Sequence, residues 1–474
     1  MSAVRSPRAL VPVLIFIGTV VAVISSLGAP LIPAIAETMG TSLPDAQWAL
    51  TVTLLVGAVA TPVVGRLGDG RHRRAVILAA LAVVTVGGAL AALPLGLGWL
   101  VAGRGLQGFG LGLTPLAIAT AREALHGRRA VSTIAALSVT VVAGVGLGYP
   151  LAGLVAELGG VHAAFWAGAL VSVAALVAAA VVLPPSPEAP PRRLDVGGAL
   201  LLGAGLAALL LALGNADTWG WASPLLWALL GGAVVLLVGW AAWEHRTPWP
   251  LVDLRLARGR LALSAHSAAL LVGLGNYLLL ASVPVLAQSP RPGGFDASIV
   301  VAGLVLLPFS AASVLGGRLA RALADRAGAS AVLPVAALVQ GGAFLLFGLT
   351  RTDLWQLFLV MAVAGLGVGA AFAAFPALIV AAVPPSETGS AMSLNQVLRY
   401  VGFAVGSALT ATVLAASTPE GASAPGAGGY AVLAVVGGAV CVATAALTWL
   451  VTSAAHGAPS AERPGVSGTV DAGR

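Results

Sequence analysis

The sequence predicts an all-α membrane protein that crosses the bilayer about fourteen times, and three observations carry that reading. The composition is too apolar for water, the apolar stretches have the length of bilayer-crossing helices, and the arginines keep to alternate loops. Of 474 residues, 59% are hydrophobic and 9% charged, with a mean hydropathy of +1.00. Soluble domains carry roughly a quarter charged residues, so lipid is the solvent this composition suits. The 61 glycines and the 5% of aromatics fit helices that pack closely through small residues.

Apolar stretches of about 18–25 residues between short polar loops read as spanning helices. The first six fall near 10–36, 46–67, 75–95, 99–121, 131–156 and 162–183. Two more lie near 196–213 and 224–243, and the last six near 261–286, 298–323, 330–350, 355–380, 391–415 and 429–452. With this placement 20 of the 24 arginines fall on one side, Arg291 and Arg351 on the other, and Arg104 and Arg399 inside spans. Positive residues stay cytoplasmic, so the expected location is the cell (plasma or inner) membrane with both termini cytoplasmic.

Residues 184–193 (PPSPEAPPRR) are proline-rich and charged, a linker. The expected domains are a six-helix bundle over 1–183, a linker with two accessory spans over 184–260, a second six-helix bundle over 261–454, and a disordered tail over 455–474. An internal repeat supports two halves. Gly65-Arg66-Leu67 recurs as Gly317-Arg318-Leu319, Gly108-x-Gly-x-Gly112 as Gly365-x-Gly-x-Gly369, and Gly144-xxx-Gly148 as Gly402-xxx-Gly406, at offsets of 252, 257 and 258.

Absences bound the chemistry. All 24 basic residues are arginines, so a P-loop and a lysine Schiff base are excluded. Cys441 is the only cysteine, and the six histidines form no HExxH pair, so no metal site and no cofactor are expected. The chain reads as no enzyme. The pI near 10.8 follows from the loop arginines, and no nucleic acid is expected as a partner.

The loop after the second span reads Gly65-Arg66-Leu67-Gly68-Asp69-Gly70-Arg71-His72-Arg73-Arg74. Gly65 lets two helices approach, and Asp69 can cap a helix N-terminus or pair with an arginine across the cytoplasmic face. The loop resembles the signature of the major facilitator superfamily, Gly-x-Leu-x-Asp-Arg-x-Gly-Arg-Arg. Gly70 stands where the pattern has an arginine and His72 where it has a glycine. Asp325-Arg326 is the expected counterpart in the second half. Span five carries Gly144, Gly148, Tyr149, Pro150 and Gly153, and resembles the antiporter motif Gly-x-x-x-Gly-Pro-x-x-Gly-Gly of exporters in that superfamily. Tyr149 and Leu154 depart from it. Small-residue packing with a proline bend is the other reading of this segment.

Arg104, followed by Gly-Leu-Gln107-Gly108, matches a superfamily arginine, and the resemblance gives it a part in substrate or proton coupling. A charge at mid-membrane costs about 2.5–3.5 kcal/mol on insertion scales, so it faces a cavity or a partner, or snorkels to an interface. In span thirteen Asn395, Arg399, Gly402 and Gly406 share one helical face. Arg399 either meets an anionic group or bonds carbonyls between helices. Glu387-Thr388-Gly389 ahead of it resembles fourteen-span exporters. Asn276 and Tyr277 in span nine are candidate cavity residues, with His266 expected at an interface. Ser25 and Ser26 precede Pro30 and Pro33, which predicts a broken first helix. None of the 17 acidic residues lies deep in a span; Glu37, Glu123 and Glu157 come nearest.

The resemblance covers residues 10–452 and is nearest the fourteen-span drug:proton antiporters, the multidrug efflux branch tied to antibiotic resistance. It implies the major facilitator fold, two six-helix bundles plus two accessory spans, acting as a monomer. The implied activity is export of small hydrophobic molecules by proton antiport through alternating access. An uptake permease of the same fold and a non-transporting membrane scaffold are the rival readings.

Overall fold

The computed structural model describes residues 7–27, 31–186, 194–291, 293–419 and 424–453. It is all-helical. The first half runs α1 (Pro7–Ser26), α2 (Ile32–Met39), α3 (Leu43–Gly68), α4 (Arg73–Ala92), α5 (Leu97–Gly108), α6 (Leu113–Ala124) and α7 (Gly127–Val182). A hairpin follows, α8 (Val196–Gly214), the short α9 (Ala216–Trp219) and α10 (Pro224–Glu244), and α11 (Leu254–Ala257) leads out of it. The second half comprises α12 (Arg260–Gln288), α13 (Ile299–Leu304), α14 (Leu307–Ala327), α15 (Val332–Leu349), α16 (Leu354–Ala382), α17 (Thr388–Ala416) and α18 (Ala427–Ser453).

Eleven helices among the described residues are long and apolar enough to cross a membrane. The other predicted spans fall on segments shaped differently from a plain helix. The first is an apolar helix over Ala9–Ile24 that ends ahead of residues 28–30. The fourth is two twelve-residue helices, α5 and α6, joined by a 3₁₀ turn over Phe109–Gly112. Glycine is a poor helix former, and three of them at 108, 110 and 112 place the change of pitch there. The fifth and sixth are separate helices that meet at a kink within α7, in the loop the sequence predicts between them. Its single non-helical residue is Gly160 at φ 79°, a conformation open to glycine.

In the first half α1 packs on α7, α4 on α5 and α7, and α3 on α5. The second half repeats the scheme, with α12 against α17, α14 against α16, and α15 against α16 and α18. The repeated glycines mark equivalent crossings. A methyl at Gly108 would press on the Thr53 carbonyl of α3, and one at Gly365 or Gly369 would overlap the Phe309 or Ser313 carbonyl at α14.

The α8/α10 hairpin lies across the seam between the halves. Leu202 and Leu206 of α8 cluster with Leu394 and Val397 of α17 and with Val59 of α3. Asp195 caps α8 by accepting from Gly198 N at 2.9 Å, and it also accepts from Trp243 Nε1 at 2.9 Å. At the other end of the hairpin, Trp221 Nε1 donates to Thr412 Oγ1 of α17 at 2.7 Å.

Candidate functional site

The halves meet most specifically at the arginine-rich face, where the loop after α3 grips the start of α17. The first turn of a helix leaves backbone N–H groups without intrahelical acceptors and carries partial positive charge. Asp69 satisfies two of them. Its Oδ1 accepts from Gly389 N at 2.6 Å and its Oδ2 from Ser390 N at 2.8 Å. The carboxylate is 2% exposed. Burial pushes it up from 3.8 to about 6, against the lowering pull of the Ser390 and Gly389 N–H donors. The contact needs a small residue on each side: a methyl at Gly65 would overlap the Ser393 hydroxyl, and one at Gly389 would press on Asp69 Oδ1.

Three further groups bond across the halves on this side. Arg66 Nη1 pairs with Glu387 Oε2 at 2.8 Å, and Arg66 is buried. Arg122 crosses from the first half to donate to Thr388 Oγ1 at 2.6 Å and to the Val380 and Val383 carbonyls at 2.7 and 2.9 Å. Those carbonyls belong to the C-terminus of α16, the negative end of its dipole. Gln396 Nε2 donates to Leu111 O in the 3₁₀ turn at 2.6 Å. Arg66, Arg122 and Gln396 do not stand out in the sequence as site residues. Arg66 and Arg122 read there as ordinary loop arginines.

The rest of the predicted gating loop is not gathered here. Arg73 stays within the first half, bonding Gly68 O at 2.8 Å and pairing with Glu123. Arg74 Nη2 donates to Ala180 O at 2.7 Å, and Arg71 is exposed beside His72. Asp325 and Arg326 are exposed at the end of α14. There the halves meet through Gly317, whose added Cβ would lie 3.6 Å from Val139 Cβ of α7. Gly65 and Gly317, the first repeat pair, thus each abut the opposite half.

Arg104 is wholly buried inside the first half. Its Nε donates to Ala49 O at 3.0 Å, and its Nη1 to Ile24 O at 3.1 Å and Gln107 Oε1 at 2.7 Å. Its guanidinium lies 5.9 Å from the Phe165 ring centroid. This arginine joins α1, α3, α5 and α7, and a snorkelling geometry is absent.

The Asn395–Gly406 stripe faces α12. Asn395 Nδ2 donates to Ala265 O at 2.9 Å, and methyls at Gly402 and Gly406 would press on the Leu270 and Leu274 carbonyls. The Arg399 guanidinium sits over Phe372 of α16 at 4.4 Å, a cation–π contact. Tyr277 lines a cavity of about 110 Å³ with Gln47, Thr51, Tyr400 and Phe403. Asn276 is buried with Oδ1 unpartnered. His266, expected at an interface, is instead 5% exposed and lines a small pocket beside Glu387 and Ser390.

A methyl at Gly144 would overlap Ala22 of α1, so α1 and α7 approach closely there, whereas nothing lies within 4 Å of one at Gly153. Gly148 lies within α7. The side chains of Ser25, Ser26, Tyr149 and Pro150 lie outside the described residues, as do Pro30 and the tail over 455–474. Among the described residues the buried carboxylates are Asp69 and Glu244, both at helix ends.

The profile of the Major Facilitator Superfamily matches residues 14–243 and 265–471. The chain belongs to that superfamily. As a major facilitator it is similar to a triacylglyceride transporter of Mycolicibacterium smegmatis, 30% identical over 377 residues, which is 75% of this chain and 66% of the relative. It is also similar to the tetracenomycin C resistance and export protein of Streptomyces glaucescens, 28% identical over 395 residues, 81% of this chain and 71% of the relative. Among solved structures, the human organic anion transporter MFSD10 (TETRAN) superposes with a TM-score of 0.65 at 19% identity, covering 94% of this chain and 100% of that one. This last likeness concerns the fold. The protein is an integral membrane transporter of the major facilitator kind.

Proposed function

We propose that this transporter exports small, largely hydrophobic molecules across the cell membrane, as a monomer coupled to protons, with its arginine-rich face and both termini in the cytoplasm. The observation that carries the reading is the Asp69 latch. It joins a loop of one half to a helix start of the other, so the halves separate on this face only when those bonds break. Contacts made in one gating state and lost in the other are what alternating access requires. Export is supported by the resistance and export protein among the relatives and by the close α1–α7 approach at Gly144 within the antiporter-like segment. Placement of 20 of the 24 arginines on this side supports the orientation.

The test is substrate movement under an imposed pH gradient, using purified protein in liposomes and everted vesicles with a panel of antibiotics, dyes and metabolites. Compound-triggered proton movement and uptake into everted vesicles are expected. Accumulation in intact cells with none in everted vesicles overturns export. Flux indifferent to the pH gradient overturns proton coupling.

A further inference from the structure

The seam on the arginine-rich face is closed unequally. On the α3/α17 side it is latched; on the α7/α14 side it gapes as a cavity of about 760 Å³. That volume is of the size that holds a small organic ligand, in a range of about 300–1,000 Å³. One wall comes from α7 (Val131, Ile134), another from α14 (Ala320), and a third from the end of α16 (Ala373, Ala377). These walls are apolar. The mouth is not: Arg128, Arg129 and Arg321 ring it with a single carboxylate, Asp325. Arg128 and Arg321 make no hydrogen bond or ion pair with described residues, so their donors are available. About one helical turn along from the lining residues Ala135 and Ala320, Gly317 of α14 abuts Val139 of α7.

We propose that this cavity is the cytoplasmic loading vestibule and that it selects an amphiphile carrying an acidic group, a carboxylate or phosphate on an apolar body. The inference rests on the export reading above and names its cargo class. The apolar walls take the hydrophobic part. The guanidiniums at the mouth take the anion, with the net charge of the ring favouring it. A cationic amphiphile would meet three like charges and one opposite charge there. The α7/α14 contact then opens to pass the cargo inward.

The experiment measures uptake into everted vesicles of a dansyl-labelled fatty acid, its methyl ester and its primary amine analogue. Wild type is expected to take up the acid at least five times faster than the ester or the amine. Arg321→Gln and Arg128→Gln should each raise the KM for the acid about fivefold and leave the ester unchanged, and Asp325→Asn should lower it. Displacement of the dansyl acid by tetradecanoate but not tetradecanol, on purified variants with wild-type melting temperatures, separates lost binding from lost folding. Equal handling of acid, ester and amine, or unchanged KM in the double glutamine variant, overturns the cargo class while export of other compounds stands. Flux of no compound in the panel removes the export reading and this one with it. Repeating the assay in phosphatidylcholine vesicles should preserve the discrimination. Loss there, with recovery on adding an anionic lipid, gives the cavity to a bilayer lipid and overturns the proposal.

Discussion

Asp69 shows how one side chain carries a gating contact. Its two oxygens complete the first turn of α17, and charge-assisted bonds of this kind are about twice as strong as neutral ones. Because burial raises its pKa to about 6 in the docked loop, against 3.8 when free, the docked form holds the proton more tightly. The proton-linked part of its docking is therefore full below about pH 4 and lost as pH rises to about 6, and above that the two bonds of the ionised carboxylate contribute a constant amount. Spin labels at Arg71→Cys and Ser386→Cys should report a docked fraction that falls over this window. With Asp69→Asn the profile should be flat. Arg104 illustrates a different outcome at the same scale. Removing it takes the donor from Gln107 Oε1 and one donor from Ile24 O in the interior, while Ala49 O keeps the Thr53 hydroxyl. Arg104→Ala should cost about 1–3 kcal/mol of stability, read as lost thermal stability in detergent. An unchanged melting temperature with lost flux would instead return this arginine to substrate or proton coupling.

At the scale of elements, the glycine repeats are helix crossings. Gly369 faces the Ser313 carbonyl, a backbone atom that cannot rotate away, whereas Gly153 faces open space. Gly369→Ala should therefore destabilise the protein by about 1–3 kcal/mol, while Gly153→Ala should stay within about 0.5 kcal/mol, as thermal melts of the two would show. These elements were legible in the sequence because hydropathy, arginine placement and a repeat at fixed offset each report on one helix or one crossing. The broken fourth span was less so, since glycines at 108, 110 and 112 fit a packed helix as well as a change of pitch. The partners of the latch were not legible at all. Arg66 and Glu387 are 321 positions apart, and nothing local tells Arg122, which holds α16, from Arg128, which rings a cavity. Hydropathy marks which residues avoid lipid, and it does not say which of them meet.

At the scale of the molecule, closure of the arginine-rich face needs both sides of the seam. The Gly317 and Val139 positions have the Cβ separation of a disulfide, about 3.5–4.5 Å. The chain has one other cysteine, Cys441, and it is buried. Gly317→Cys with Val139→Cys should cross-link under oxidant, stop transport, and recover it on reduction. Continued flux with the bond formed would show that α7 and α14 need not part.

The hairpin described above gives this molecule a handedness toward its lipid. By lying over the α3/α17 seam, α8 holds acyl chains away from one lateral mouth of the transporter. The opposite mouth, between α7 and α14, has no such cover among the described helices. The flank without such cover is the one that carries the arginine-ringed cavity, so the side chains of α7 and α14 there meet the surroundings directly.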